Sequence, residues 1–265
     1  MGRLENKVAL VLGASSRGGI GEGIAKRFAA EGARVAVAGR RLEGAKEVAD
    51  AVGGAAYRCD ITDEAEIEQM VADVVREFGR LDIAVDAAGV RHHSLVAETK
   101  ESDLLRVSHI HFIGAAMFIK HAAAAMGEGG SIVLISSLNS ELSSPRMVAY
   151  AATKAAMDKV MTISAVEYAC KGIRINSVQP GAIDTPMTED VFVSDERVGP
   201  LLAETPMRRM STVADVAAAA LWLASDECAT TGDVVRIAGG MHLRRLPAAL
   251  PTPEQIDEAY MRRRA

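Results

Sequence analysis

The sequence predicts a single doubly wound α/β domain, with a seven-stranded parallel sheet flanked by helices. Two features predict this fold class: short runs of Val, Ile, Leu and Ala alternate with longer helical patterns, and a glycine-rich turn follows the first run. Unbroken apolar runs are typical of strands buried on both faces, and intervening helices favour parallel connections. The length of 265 residues suits one large domain.

Each predicted strand coincides with a short apolar run. The seven ranges are residues 8–12, 35–38, 55–59, 83–85, 132–135, 175–178 and 234–237. Apolar residues four apart, from Ile20 to Phe28, predict a first helix that ends at Gly32. Thr62 is predicted to begin the third helix, which Gly79 ends.

No repeat, low-complexity stretch or linker divides the sequence, so residues 1–242 are predicted to form one dinucleotide-binding and catalytic domain. Residues 186–207 interrupt the alternation of strand and helix. A long insertion at the carboxyl end of a strand is where a lid over a binding site would lie, although a plain surface excursion fits as well. Residues 243–265 are predicted to form a peripheral tail, helical or disordered.

The composition excludes several classes of protein. The apolar fraction of 49% supports a sizeable core, and 30 basic against 35 acidic residues give no electrostatic reason to expect nucleic acid. No apolar run reaches the roughly 20 residues that cross a bilayer, and the first residues carry no signal-peptide pattern. Three cysteines without C-x-x-C spacing, Cys59, Cys170 and Cys228, are typical of a reducing compartment. We expect a soluble cytoplasmic protein with no membrane partner.

The glycine-rich turn between the first strand and the first helix predicts a phosphate-binding loop. Glycines permit a tight turn and let the backbone approach a pyrophosphate at the helix N-terminus. A purely structural turn is the alternative, because any strand-to-helix connection favours glycine. The expected contacts in this turn are Gly13, Ser15, Ser16, Arg17, Gly19, Ile20 and Gly21.

The residues after the second strand favour NADP over NAD. Gly39 stands where an acidic residue would bind the ribose 2′-hydroxyl of NAD, and Arg40 and Arg41 follow it. A guanidinium group matches the geometry of a 2′-phosphate, and Arg17 could reach the same group. Alternatively, Arg40 and Arg41 are ordinary solvent-facing residues.

Three polar residues predict the chemistry. Ser137 follows the fifth apolar run, and Tyr150 and Lys154 have the spacing Y-x-x-x-K. Four residues apart on a helix, these two share a face, so the ammonium group can favour the phenolate of a tyrosine whose ordinary pKa is about 10. We expect Tyr150 to be the general acid/base and Ser137 to donate a hydrogen bond to the substrate oxygen. Each alone would be an ordinary structural residue; their context makes the set informative.

From residue 7 to residue 240 the chain resembles the short-chain dehydrogenase/reductase family. The resemblance rests on the glycine turn, on Ser137, Tyr150 and Lys154, on Asp60, and on the pattern R-x-N-x-V-x-P-G that ends at Gly181. It implies a Rossmann fold, a homotetramer, and hydride transfer between NADP(H) and a secondary alcohol or ketone. The further cofactor contacts that it implies are Asp60, Ile61, Ala88, Gly89, Tyr150, Lys154, Pro180, Gly181, Ile183 and Thr185.

The chain departs from the family pattern at four places, of which Ala238, in place of an aspartate before the final Gly-Gly pair, is expected to affect packing more than chemistry. Five residues separate Gly13 from the Gly19-x-Gly21 pair, where the family usually has three. Asp86 replaces an asparagine that braces the sheet, and as a carboxylate it accepts hydrogen bonds without donating them. His111 replaces a catalytic asparagine that positions a water in the proton relay. Imidazole could hold that water, as a fourth catalytic residue, or be a space-filling replacement.

Other functions stay open at this point. A redox-inactive nucleotide-binding protein is one alternative, supported by the changes at Asp86 and His111; halohydrin dehalogenation is disfavoured by the intact glycine turn and Lys154. We expect no metal site, because His109 and His111 point to different faces of a predicted helix. The apolar residues of the insertion favour an apolar or cyclic substrate, although they could equally pack the insertion itself: Met187, Val191, Phe192, Leu201, Leu202 and Met207.

Overall fold

The computed structural model describes residues 2–243, so the predicted tail lies almost entirely outside the described residues. Seven parallel strands form one sheet in the order β3-β2-β1-β4-β5-β6-β7. The strands are β1 Val8–Leu12, β2 Arg34–Gly39, β3 Ala55–Arg58, β4 Ile83–Asp86, β5 Gly130–Ile135, β6 Ile173–Pro180 and β7 Val234–Ile237. The predicted fold class is confirmed.

Helices cover both faces of the sheet, which is why the strands are apolar without interruption. One core packs α1, α2 and α9 against the sheet, and the other packs α3, α5 and α6 against the opposite face. The helices are α1 Ile20–Ala30, α2 Leu42–Val52, α3 Glu64–Phe78, α4 Glu101–Ser108, α5 Gly114–Met126, α6 Val148–Tyr168, α7 Glu189–Phe192, α8 Asp195–Glu204 and α9 Val213–Ala224.

The predicted boundaries agree closely with the structure, with one correction. The N-cap of α3 is Asp63, whose carboxylate accepts from the N–H groups of Ala65 and Glu66, so the prediction that Thr62 begins this helix is wrong. Thr62 instead donates to Asp60 through its backbone N–H and its hydroxyl. A carboxylate is the better acceptor at a positive helix end, which explains the choice between two adjacent capping residues.

A π-helical turn, His109–Ile113, joins α4 to α5. Such turns are rare and often occur at functional sites. This one contains His111, whose side chain is completely buried against α6. The π turn therefore presents the imidazole to the base of the predicted site.

The strand order reverses next to β1, because β2 and β4 lie on its two sides. In open parallel sheets, ligands bind in the crevice beyond the carboxyl ends of the strands at this point. The glycine turn follows β1 and the segment beginning at Ala87 follows β4, so both border the crevice.

The insertion predicted at residues 186–207, which we call the lid segment, contains α7 and α8 and lies after β6. Its far end is anchored on the loop after β7, where the N–H of Met207 donates to the carbonyl oxygen of Gly239 at 3.1 Å. Within residues 2–243, none of the helices has both the length and the apolar character that crossing a membrane requires.

Candidate active site

A cavity of about 390 Å³ occupies the crevice at the carboxyl ends of the strands. The structure brings to its wall Ser137, Tyr150 and Lys154, together with all the expected cofactor contacts except Arg17. Arg17 is exposed to solvent and does not line the cavity. His111 lies behind the wall, fully buried. Residues separated by as much as 172 positions in the sequence, from Gly13 to Thr185, therefore meet at one site.

The glycine turn is packed so closely that side chains would not fit at key positions. A Cβ on Gly13, which has a φ of +84°, would lie 2.4 Å from the carbonyl carbon of Ala87. A Cβ on Gly21 would lie 2.6 Å from the carbonyl oxygen of Gly13. This packing leaves room for a phosphate group at the N-terminus of α1, and the residues present fit a dinucleotide.

Glu22 braces the longer glycine turn, and the sequence analysis missed this role. Its carboxylate accepts from the N–H of Gly18 at 2.5 Å and pairs with Lys26 at 2.7 Å, one turn further along α1. Glu22 is almost fully buried, so both partners are needed to offset the loss of hydration. An acidic residue between two helix-starting glycines was the available clue.

The two arginines after β2 have different surroundings. Arg41 Nη2 donates to the carbonyl oxygen of Ser15 at 3.0 Å and to Oγ of Ser16 at 2.6 Å, so this guanidinium braces the glycine turn. Arg40 lines the cavity and is exposed. Although partial burial raises the pKa of Asp60, hydrogen bonds from Thr62 and the nearby charge of Arg40 bring it below its ordinary value. Arg40 is therefore the cation available to a ligand in this corner.

The polar trio comes from β5 and α6. Ser137 follows β5, and its Oγ accepts from the N–H of Asn139 at 3.2 Å. Tyr150 lies in the first turn of α6, and Lys154 follows one turn later. Lys154 Nζ donates to the carbonyl oxygen of Ile135 at 2.7 Å, which ties the ammonium group to the end of β5. Two adjacent elements thus hold the three side chains on the wall of the cavity.

The electrostatics differ from the sequence prediction. Burial is the largest influence on Tyr150 and raises its pKa, while a hydrogen bond with Ser137 and the charge of Arg91 oppose that rise. Burial also lowers the pKa of Lys154 to about 8, against the attraction of Asp86 and Asp158. The predicted lowering of the pKa of Tyr150 by Lys154 is not seen, because the loss of hydration outweighs the hydrogen bond with Ser137 and the charge of Arg91.

His111 has a protein partner at each ring nitrogen. Its Nε2 lies 3.1 Å from the N–H of Val90 and accepts from it, and its Nδ1 lies 2.9 Å from Oγ1 of Thr153. Thr153 uses its own proton to donate to the carbonyl oxygen of Ala149 at 2.7 Å. The ring is thereby held as the neutral Nδ1–H tautomer, and burial lowers the pKa of His111 to about 2. This arrangement favours the space-filling interpretation over a water-holding relay.

Asp86 is completely buried at the end of β4. Its Oδ1 accepts from the N–H of Ala88 at 2.9 Å, so the carboxylate braces the loop by accepting a hydrogen bond. Its Oδ2 has no hydrogen-bond partner among the described residues. Burial raises the pKa of Asp86 to about 6, against the opposing charge of Lys154.

Known proteins resemble the chain over nearly its whole length. The family model described as "Enoyl-(Acyl carrier protein) reductase" matches residues 13–242. The 3-oxoacyl-[acyl-carrier-protein] reductase of Salmonella typhimurium is 34% identical, covering 90% of this chain and 98% of that protein. An uncharacterized oxidoreductase of Methylorubrum extorquens is 34% identical, covering 91% and 100%.

Solved structures agree with these relatives. A short-chain type dehydrogenase/reductase from Mycobacterium ulcerans superposes with a TM-score of 0.87 at 33% identity, covering 92% of each chain. A putative short-chain dehydrogenase/reductase from Burkholderia xenovorans gives a TM-score of 0.85 at 37% identity, covering 92% of this chain and 99% of that one.

Proposed function

The chain belongs to the short-chain dehydrogenase/reductase family of NAD(P)-dependent oxidoreductases, and on that premise we propose that it transfers a hydride between NADP(H) and a secondary alcohol or ketone. One observation carries the proposal: Ser137, Tyr150 and Lys154 line the same cavity as the glycine turn. A dinucleotide bound along the glycine turn would extend toward these three side chains.

Different residues around the cavity would bind different parts of the cofactor. The glycine turn would bind the pyrophosphate, and Asp60 with Ile61 would flank the adenine. Pro180, Gly181, Ile183 and Thr185 would hold the nicotinamide end, and Lys154 would bind its ribose. When bound, the nicotinamide supplies the hydride in reduction or accepts it in oxidation.

The proton chemistry belongs to Tyr150. In reduction, the hydroxyl groups of Ser137 and Tyr150 donate hydrogen bonds to the substrate oxygen, and Tyr150 transfers its proton as negative charge develops there. A phenol whose pKa is raised by burial is protonated near neutrality, which suits an acid. In oxidation, Tyr150 must act as the base, and positive charge beside it favours the phenolate.

We favour NADP because of Arg40. A neutral glycine ends β2, and the guanidinium of Arg40 lies at the cavity wall beside Asp60. The guanidinium of Arg41 is already hydrogen-bonded to the glycine turn, and Arg17 does not line the cavity. The preference for NADP over NAD is therefore assigned to Arg40. The same geometry would accept NAD with lower affinity.

A ketone or secondary alcohol is the proposed substrate class. The relative from Salmonella is named a 3-oxoacyl reductase, whereas the matching family model is named for an enoyl reductase. Two hydroxyl donors on the cavity wall, Ser137 and Tyr150, favour an oxygen as the reacting group. Of the six apolar lid residues that the sequence singles out, Met187 alone lines the cavity, so the preference for an apolar or cyclic substrate rests on that residue.

We further propose a cytoplasmic homo-oligomer, with a tetramer favoured. Several large apolar side chains are exposed on the packed segments α4, α6 and the π turn, among them Leu105 at 54%, Phe112 at 41%, Ile163 at 49% and Val166 at 79%. Exposed apolar surface of this kind favours association. Light scattering coupled to gel filtration measures the assembly.

Three free thiols support the proposed cytoplasmic location, because a reducing compartment keeps thiols free.

The test is an assay of purified protein with NADPH or NADH against a broad panel of ketones and alcohols. Tyr150→Phe is expected to reduce turnover by about 10²–10⁴-fold while nucleotide affinity stays near that of the wild type. Tyr168→Phe, at the far end of α6, is the matched control. Nucleotide binding without turnover of any panel member would favour the redox-inactive alternative.

A further inference from the structure

We propose that Arg91 is a positioning residue, which holds the first turn of the lid segment against the cofactor cavity. This inference rests on the proposed function, because the cavity that the lid borders is the proposed nucleotide site. Arg91 was not among the residues that the sequence singled out. It lies two residues after Gly89, on the loop that leaves β4.

The guanidinium of Arg91 makes two contacts with the lid. Nη1 donates to the carbonyl oxygen of Met187 at 2.8 Å and to Oδ1 of Asp190 at 2.6 Å. The first contact holds the backbone of a cavity-lining residue, and the second pairs with the first helix of the lid. The Arg91 side chain is only 17% exposed, whereas that of Asp190 is 60% exposed. The Arg91–Asp190 pair, which we call the latch, therefore connects the body of the domain to the lid segment.

Arg91 is itself held from behind. Its Nη2 and Nε lie 2.8 and 3.1 Å from Nε2 of His93. Burial and the charge of Arg91 lower the pKa of His93, so that ring is a neutral acceptor. The preceding residue, Val90, is fixed by its hydrogen bond to His111. The contacts with His93 and His111 thus hold the loop that carries the guanidinium.

A second arginine, from within the lid segment, also contacts Asp190. Arg197, on α8, donates from Nη1 to the carbonyl oxygen of Asp190 at 2.6 Å. Asp190 therefore receives one arginine on its side chain and another on its backbone. The Arg91–Asp190 pair joins both lid helices to the domain body next to Met187. The charge of Arg91 also reaches Tyr150, where it opposes the effect of burial.

Binding of NADPH to the full chain, measured by fluorescence titration, tests the latch. Arg91→Met and Asp190→Ala are each expected to weaken binding by about threefold to tenfold, the range for one hydrogen bond of ordinary strength, because Asp190 is largely exposed to solvent. The double variant should match Arg91→Met, because that single variant already lacks the contact with Asp190. Arg91→Lys should be intermediate, since one ammonium group cannot reproduce a planar fork.

Hydrogen exchange of residues 187–192 supplies a readout without nucleotide. Exchange there should be faster in Arg91→Met and Asp190→Ala than in the wild type, while Arg76→Met, which breaks an ion pair with Asp73 on α3, leaves it unchanged. Wild-type exchange in both single variants, or additive losses in NADPH affinity, would overturn the latch. Failure of the wild type to bind either nucleotide would instead refute the proposed function, and the exchange comparison would still decide the latch.

Discussion

Nδ1 of His111 donates to Oγ1 of Thr153 across 2.9 Å, and this contact fastens the π turn to α6 directly behind Tyr150. The rings of His111 and Tyr150 meet edge to face, with centroids 5.4 Å apart. The imidazole thus orients the phenol and the loop after β4 at the same time. We infer that His111 acts by filling space and by positioning these two elements.

The buried imidazole makes stability depend on pH. A histidine whose folded-state pKa is depressed stabilises the fold fully above its unfolded pKa of about 6.5, and that contribution is lost as pH falls toward the folded value. Between pH 7.5 and 5.5 the wild type should therefore lose up to about 1 kcal/mol more than His111→Gln in urea unfolding. His109→Gln, an exposed site two residues earlier, is the control. Equal pH dependence in all three proteins would contradict a buried neutral ring.

Arg40 and Arg41 should separate cofactor choice from cofactor binding. Arg40→Ala is expected to weaken NADPH binding by about 10- to 100-fold, because it removes a charge-assisted contact, and to leave NADH binding nearly unchanged. Arg41→Ala should weaken the binding of both nucleotides, because the guanidinium of Arg41 holds Ser15 and Ser16 of the glycine turn in place. Fluorescence titration with each nucleotide measures the four constants. Equal losses for both nucleotides in Arg40→Ala would refute its role.

Asp86 gives the opposite pH dependence to His111. Its folded-state pKa is raised above the unfolded value of about 3.9, so ionisation destabilises the fold increasingly as pH rises from about 4 to 6. Asp86→Asn should therefore be more stable than the wild type at pH 8, on the order of 1–3 kcal/mol, with a smaller gain at pH 4.5. Asp50→Asn, at an exposed site on α2, should change stability little. Thermal unfolding at both pH values measures the difference, and a gain that is larger at pH 4.5 would be inconsistent with a buried carboxylate.

Gly21 should not tolerate a methyl group. Its Cβ would meet the carbonyl oxygen of Gly13 at 2.6 Å and Cα of Ala14 at 2.8 Å, so Gly21→Ala must displace the turn. We expect a loss of about 1–3 kcal/mol in unfolding free energy and a weaker affinity for both nucleotides. Gly199→Ala is the matched control, since nothing lies within 4 Å of its Cβ. Wild-type nucleotide affinity in Gly21→Ala would show that the turn does not form the phosphate site.

The sequence was sufficient for the strands because each is buried on both faces and must be apolar throughout, as at Val8–Leu12. The glycine turn, the polar trio and the family resemblance also identified many of the residues that line the cavity, although Arg17 is not among the lining residues. The sequence could not reveal the Arg91–Asp190 contact, whose partners lie 99 positions apart. The partners of His111 were equally hidden, because they depend on how α6 packs against the π turn.

The π turn also changes how the helical segment from residue 101 to residue 126 must be aligned. A π turn contains more residues than an α-helical turn, so it changes the direction in which the side chains after it point. The faces of α4 therefore cannot be extended onto α5 by counting about 100° per residue. A helical wheel drawn continuously through both would assign outward residues to the interior. A relative with a continuous α-helix here, without the π turn, would present a different side chain toward α6, even where the flanking sequences match.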